Sequence, residues 1–215
     1  YNRPISDLRV SLLDQCNFRC TYCMPEREFH SEYQFLKKHQ RLSHEEIFRI
    51  VKIAVELGVT KVRLTGGEPL LDKNISKLIN LISQVEEIED LALTTNGVLL
   101  RKHANDMMKA GLHRITISLD SIDEVIFNKM NGNRASVREV LDGIEAAENA
   151  GFDKIKINTV IQRGVNDDSI VSLLDHFRGT GHIVRLIEFM DVGNQNDWKL
   201  DNVVTAKEML KIIEQ

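Results

Sequence analysis

The chain has 215 residues, of which 42% are hydrophobic and 28% are charged, and its formal net charge is −4. This length provides one core-bearing domain but is short for a complete eight-unit β/α barrel. Negative net charge disfavours nucleic acid as a partner, and apolar runs no longer than a strand argue against a membrane span. The N-terminal residues lack the pattern of a signal peptide, so we expect a cytoplasmic protein.

Short β-type runs alternate with amphipathic segments along the whole chain. Strands are predicted at residues 8–13, 61–66, 91–96, 114–120, 155–162 and 183–190. Helices are predicted within residues 43–58, 72–85, 102–111, 136–151, 167–179 and 205–215. This alternation predicts an α/β fold with a parallel sheet and helices outside it. Six units indicate a partial (β/α)6 barrel of the TIM type or an open sheet, built as one domain over residues 1–215.

The predicted strands are apolar on one face and polar on the other, which is unusual for parallel strands. Helices need the apolar face, so the polar face looks inward or across an open cleft. Arg9, Arg63 and Lys156 lie on this polar face. Because buried cations are costly unless paired or solvated, we predict a wet cavity for an anionic ligand such as a phosphate ester. The alternative, edge strands facing bulk water, is less favoured because five strands share the pattern and a sheet has two edges.

Three further charged residues lie in or beside the predicted strands. By our count of strand positions, Arg185 falls on the opposite face from the other arginines, so it is left out of the cavity. Asp120 and Glu188 are candidates for orienting the cations. The distinctive polar motifs follow the carboxyl ends of the strands, which is the edge where parallel α/β folds bind ligands.

All three cysteines of the chain lie in the stretch CNFRCTYC, at positions 16, 20 and 23. Buried thiols on one helix face are one interpretation, but the segment is polar and Pro25 follows it. A structural zinc site needs four ligands and would use His30 as the fourth. An iron–sulfur cluster on three thiolates leaves one iron open to a small molecule, which favours catalysis over simple electron transfer.

Two motifs together carry a family resemblance. The spacing C-x3-C-x2-C after the first strand, with Tyr22 before the last cysteine and GGEP at residues 66–69, resembles the radical S-adenosylmethionine (SAM) enzymes. Within that superfamily, five longer stretches resemble the GTP 3′,8-cyclase family of molybdenum-cofactor biosynthesis: DLRVSLLDQCNFRCTYCMP, VRLTGGEPLL, LTTNGVLL, ITISLDSID and RLIEFMDVGNQNDW. The resemblance implies the radical SAM fold.

The resemblance also implies a chemistry and a set of residues. It implies a [4Fe–4S] cluster with SAM on its fourth iron, and reductive cleavage of SAM to a 5′-deoxyadenosyl radical. That radical removes H3′ of GTP and leads to (8S)-3′,8-cyclo-7,8-dihydroguanosine 5′-triphosphate. No catalytic residue is assigned beyond the cluster ligands. The matching positions are Cys16, Cys20 and Cys23 for the cluster; Tyr22, Gly67, Ser118 and Met190 for SAM; and Arg9, Arg63, Thr94 and Lys156 for GTP.

The family carries a second [4Fe–4S] cluster in a C-terminal region, whereas no cysteine follows Cys23 here. We therefore expect this chain to hold one cluster and to lack the region that completes cyclisation. The resemblance further implies a low-potential electron donor, a homodimer, and cyclic pyranopterin monophosphate synthase as the next enzyme, with neither nucleic acid nor membrane as partner. Two other functions remain open: a radical SAM enzyme that modifies a peptide or cofactor, and a non-catalytic zinc-stabilised binding module.

Overall fold

In the computed structural model, which describes residues 5–192 and 197–214, six parallel strands form one sheet. The strands follow one another across the sheet in chain order. Their bounds are β1 Asp7–Ser11, β2 Lys61–Thr65, β3 Asp90–Thr95, β4 Arg114–Ser118, β5 Lys156–Ile161 and β6 Ile183–Glu188. The strands predicted at 8–13, 114–120 and 183–190 each end two residues earlier than expected. The predicted parallel α/β fold is confirmed.

Helices connect these strands on the outer side of the sheet. In the part of the chain that the structure describes, they are α1 His44–Glu56, α2 Ile75–Ser83, α3 Leu100–Lys109, α4 Glu124–Asn131, α5 Val137–Asn149, α6 Ile170–Phe177 and α7 Ala206–Ile213. Capping boxes begin α1, α5 and α7, where Ser43, Ser136 and Thr205 each bond the third helical residue. The core lies between these helices and the apolar face of the strands, as the fully buried Leu64 and Ile79 illustrate.

Helix α4 is the element that the sequence analysis missed. Asp123 caps its start, and Gly132 ends it in the left-handed conformation at φ 76°. The helix has only eight residues, so it offers little periodicity to read. Its last turn matters for the site because carbonyls there accept hydrogen bonds from the backbone N–H groups of Arg19 and Thr21, in the cysteine stretch.

Strands β1 and β6 form the two ends of the sheet, and among the described residues they pair only with β2 and β5. The barrel is therefore partial, as predicted, and its inner face is open along one side. None of the helices in residues 5–192 and 197–214 has the length and apolar character of a membrane span.

Candidate functional site

The three cysteines lie on a loop that leaves the carboxyl end of β1, here called the cysteine loop (residues 12–24). Cys16 and Cys20 are half-buried and Cys23 is exposed. The Phe18 N–H donates to Cys16 Sγ over 3.3 Å. Burial raises the pKa of Cys16 to about 11; partial desolvation of the thiol by surrounding atoms, together with the Asp120 carboxylate, raises the pKa of Cys23 although this residue is exposed. A bound metal would be needed to hold these groups as thiolates at neutral pH.

The thiols do not converge on one ion position. In the described residues, no group of three or more His, Cys, Asp or Glu side chains is arranged to hold a metal ion. Zinc needs such convergence because its ligands surround a single centre. The cysteines of an iron–sulfur cluster bind different irons and therefore stand further apart. In the described residues, the cysteine loop therefore presents no preformed site for a single ion.

The loop after β2 fits directly against the cysteine loop at Gly67. A Cβ atom here would lie 2.0 Å from the Gln15 carbonyl oxygen, so only glycine allows the two backbones to touch. The Gly67 N–H donates to the Leu13 carbonyl over 2.7 Å, and the Glu68 N–H donates to the Gln15 carbonyl over 2.8 Å. The Gly67 carbonyl accepts no hydrogen bond from the described residues.

Glu68, which is 1% exposed, joins the carboxyl ends of β2 and β3. Its carboxylate accepts hydrogen bonds from Leu70 N–H at 3.0 Å, Thr95 Oγ1 at 2.7 Å and Asn96 N–H at 2.7 Å. Burial raises the pKa of Glu68, and the three donors oppose that shift. The Asn96 side chain then donates to Asn17 in the cysteine loop over 2.7 Å. The glutamate of GGEP is thus a brace for the cysteine loop, a role that the sequence analysis did not assign.

A second brace joins the cysteine loop to the segment that follows β4. The Tyr22 hydroxyl donates to Asp120 Oδ2 over 2.8 Å, and the Val160 N–H donates to Asp120 Oδ1 over 2.9 Å. Burial raises the pKa of Asp120 to about 6. The sequence suggests that Asp120 and Glu188 orient cations, and both expectations are wrong. Asp120 is occupied by Tyr22 and a backbone amide, and Glu188 accepts a hydrogen bond from the Ala206 N–H at the start of α7.

Positive charge is concentrated on the inner face of the sheet, as the strand pattern predicts. Strand pairing sets Arg9 beside Arg63, and it aligns Lys156 with Thr116 on the same face. Burial and neighbouring cations lower the pKa values of both Arg63 and Lys156. The Arg63 Nε atom is buried without a hydrogen-bond partner in the described part of the chain. Such mutually repelling cations would be stabilised by a multiply charged anion.

Arg185 belongs to this set, and the count of strand positions that excludes it is wrong. It aligns with Asn158, two residues after Lys156, and therefore shares the face of the other cations. Its charge contributes to the lowered pKa values of Arg63 and Lys156. Apolar residues occupy both faces of β6, so the alternation that located the other cations is absent from this strand.

The ion pair of Asp90 and Arg114 partly offsets the positive charge of the inner face. Arg114 donates to Asp90 through Nε over 2.7 Å and through a second guanidinium nitrogen, and this pairing lowers the pKa of Asp90. Within residues 5–192 and 197–214, no salt bridge is found for the other cations of the inner face, which are Arg9, Lys61, Arg63, Lys156 and Arg185. A cavity of about 130 Å³ opens beside the pair, with a lining that includes Asp7, Arg9, Lys61, Arg63 and Asp90.

The remaining predicted residues are dispersed around the carboxyl edge of the sheet. Thr94 aligns with Thr116, and Ser118 aligns with Asn158, so both hydroxyls are on the inner face. Met190 follows β6 and is 55% exposed. The stretch RLIEFMDVGNQNDW is described only in part, because residues 193–196 lie outside the described residues. A larger cavity of about 1310 Å³ lies outside the barrel near α1, and its lining includes none of the predicted site residues.

Comparison with known proteins identifies the family. The sequence profile of the Radical SAM superfamily matches residues 10–177. The chain belongs to the radical SAM superfamily. A GTP 3′,8-cyclase of Xanthomonas axonopodis pv. citri (strain 306) is 52% identical over 209 residues, which cover 97% of this chain and 62% of that protein. A GTP 3′,8-cyclase of Staphylococcus epidermidis is 49% identical over 213 residues, which cover 99% of this chain and 62% of that protein.

This radical SAM chain spans 62% of the length of those two curated relatives. Among solved structures, methylornithine synthase matches with TM-score 0.73 and 17% identity, over 99% of this chain and 62% of that chain. The structure of anSMEcpe with bound AdoMet matches with TM-score 0.73 and 19% identity, over 98% of this chain and 60% of that chain. At such identities the likeness concerns the fold, and it confirms the predicted radical SAM fold.

Membership of the radical SAM superfamily implies a [4Fe–4S] cluster and SAM, and the cysteine loop fits such a cluster by its donor chemistry. All three candidate ligands are thiols, the soft ligands that iron–sulfur clusters take. The loop that presents them is braced at Gly67 and at Tyr22. Ligands on a loop fixed in this way need little reorganisation when a cluster binds.

Proposed function

We propose that this chain is the radical-generating part of a GTP 3′,8-cyclase. The observation that carries the proposal is the set of unpaired cations on the inner face of a sheet whose carboxyl edge bears the cysteine loop. A triphosphate suits this charge because Arg and Lys bind phosphate oxygens through charge-assisted hydrogen bonds. Relatives named GTP 3′,8-cyclase, at 52% and 49% identity, support the same substrate.

In this proposal, the cysteine loop binds the cofactors. Cys16, Cys20 and Cys23 hold the [4Fe–4S] cluster, which supplies, when bound, the electron that cleaves SAM to methionine and a 5′-deoxyadenosyl radical. The residues that bind and orient SAM in this proposal are Tyr22, Gly67, Ser118 and Met190. The Gly67 carbonyl and the Ser118 hydroxyl provide hydrogen-bonding groups, and Tyr22 holds the loop through Asp120.

In this proposal, the inner face of the sheet binds the nucleotide. Arg9, Arg63 and Lys156 neutralise the phosphates, and Arg185 joins them because strand register puts it on the same face. The Thr94 hydroxyl provides a neutral hydrogen-bonding group there. The pair of Asp90 and Arg114 limits the positive charge at one end of the face.

The cysteine count limits the proposal to one cluster in these 215 residues, because no cysteine follows position 23. A second cluster would need ligands from outside this sequence. An external low-potential electron donor, a homodimer and hand-over of the product to cyclic pyranopterin monophosphate synthase remain parts of the proposal. A reducing cytoplasm suits three free thiols.

Anaerobic reconstitution with iron and sulfide, followed by dithionite and SAM, tests the radical chemistry. We expect a brown protein that forms 5′-deoxyadenosine. A colourless protein that binds zinc and forms no 5′-deoxyadenosine would instead support the zinc-stabilised binding module.

GTP binding, measured by equilibrium dialysis on the reconstituted chain, tests the substrate. Arg63→Gln should weaken binding by about 10- to 150-fold, because a hydrogen bond to a charged group contributes about 1.5–3 kcal/mol. Arg101→Gln is the matched control, since Arg101 lies on α3 with 67% of its side chain exposed. This variant should bind GTP with wild-type affinity. Formation of 5′-deoxyadenosine without GTP binding would favour a radical SAM enzyme that modifies a peptide or another cofactor.

A further inference from the structure

Arg19, which lies between the first two cysteines, has a guanidinium group that the proposed function does not use. Its side chain is 13% exposed. Nε donates to the Phe29 carbonyl over 2.7 Å, and Nη1 donates to the carbonyls of Cys16 and Phe18 over 2.8 Å each. Backbone carbonyls of the cysteine loop and of Phe29 therefore fix a planar positive charge within that loop.

The main chain of Arg19 is fixed as well. Its N–H donates to the Asn131 carbonyl at the end of α4 over 3.0 Å. A Cβ atom at Gly132 would lie 2.7 Å from Arg19 Cβ, so the glycine permits this close packing. Side chain and backbone together leave the charge little freedom to move.

The protein compensates this charge only weakly. Glu26, whose carboxylate lies 3.9 Å from Arg19 Nε, is 53% exposed and also pairs with Arg134. Carbonyl oxygens solvate a guanidinium but do not neutralise it. A cation that is nearly buried without a close anion costs free energy, so the loop favours a negative group at this place.

The three cysteines supply that negative group when they bind a cluster. Arg19 Nη1 donates to the Cys16 carbonyl over 2.8 Å, so the guanidinium charge lies directly beside the first of these ligands. A [4Fe–4S] cluster on three thiolates is negatively charged, and one-electron reduction adds a further negative charge. A fixed cation therefore favours the reduced cluster over the oxidised one.

We propose that Arg19 is a positioning residue that holds a fixed positive charge against the cluster and thereby raises the cluster's reduction potential. The charge then makes the electron that cleaves SAM easier for a donor to deliver. This inference rests on the proposed function, because it needs a cluster on the cysteine loop.

The test compares Arg19→Gln, Arg19→Lys and wild type after anaerobic reconstitution of the chain. Iron per protein is counted, and the midpoint potential is measured by dithionite titration followed by the electron paramagnetic resonance signal of the reduced cluster. Arg19→Gln should shift the midpoint to more negative potential. Arg19→Lys, which keeps the positive charge, should have a midpoint close to that of wild type. Arg134→Gln is the control, since Arg134 is 42% exposed and pairs with the same Glu26.

Each outcome decides the matter. Equal midpoints for wild type and Arg19→Gln, or an equal shift in Arg19→Lys and Arg19→Gln, overturn the inference and leave the proposed function intact. Failure of the wild-type chain to take up a cluster refutes both. Arg19→Lys keeps the inference testable if Arg19→Gln binds no iron: the retained charge should hold the midpoint near that of wild type, and a clear shift to more negative potential overturns the inference.

Discussion

Replacement of Gly67 by alanine tests whether contact between the GGEP loop and the cysteine loop builds the cluster site. The added Cβ would lie 2.0 Å from the Gln15 carbonyl oxygen and 2.4 Å from its carbon. One backbone has to move by about 1 Å to relieve this overlap, which stretches the hydrogen bonds between the loops. Overpacking of this kind costs about 1–3 kcal/mol, or about 5- to 150-fold in the folding equilibrium. Because Gln15 directly precedes Cys16, the same movement displaces a thiol.

Two measurements on Gly67→Ala check this reasoning. Urea denaturation of the iron-free chain gives the free energy of unfolding, and iron counting after reconstitution reports the cluster site. Gly111→Ala is the matched control, because its Cβ would lie 2.7 Å from Ser83 Cβ, and Gly111 precedes the amino end of β4, at the opposite end of the sheet from the cysteine loop. We expect both variants to be destabilised and only Gly67→Ala to lose iron. A Gly67→Ala chain with wild-type stability and iron content would refute the reasoning.

Three further predictions concern the braces and the inner face. Tyr22→Phe removes the hydroxyl donor to Oδ2 of the buried Asp120 and should lower the unfolding free energy by about 1–3 kcal/mol, whereas Tyr33→Phe, at an exposed position, should change it by less than about 0.5 kcal/mol. Arg114 depresses the pKa of Asp90 in the folded state. The contribution of this ion pair to the unfolding free energy is therefore complete above the unfolded-state pKa of about 3.9, and it is lost as the pH falls through the lower folded-state pKa. Asp90→Asn should therefore be less stable than wild type near neutral pH, with a difference that shrinks in acid; a difference independent of pH in urea titrations would contradict this. Arg185→Gln should weaken GTP binding in equilibrium dialysis as Arg63→Gln does. Wild-type affinity of this variant would show that Arg185 is not part of the GTP site.

The strand pattern located most of the cationic face because alternation is a local property. Arg9, Arg63 and Lys156 each lie in a strand whose neighbours alternate between apolar and polar, so their shared face can be counted along the sequence. Arg185 was missed because β6 lacks this alternation, and its face is defined only by pairing with β5. The short helix α4 was missed for a related reason, since eight residues give too little periodicity.

By itself, the sequence determined the parallel α/β fold, the position of the cysteines after the first strand and the family to which the chain belongs. Only the tertiary structure decided what holds the cysteine loop in place. Tyr22 and Asp120 are 98 positions apart, and the close backbone contact at Gly67 is made with the cysteine loop, which follows β1. The local sequence pattern predicts which face of a strand a side chain occupies. The contacts that hold the cysteine loop form between residues far apart in sequence, and they arise only when the sheet brings distant loops to one edge.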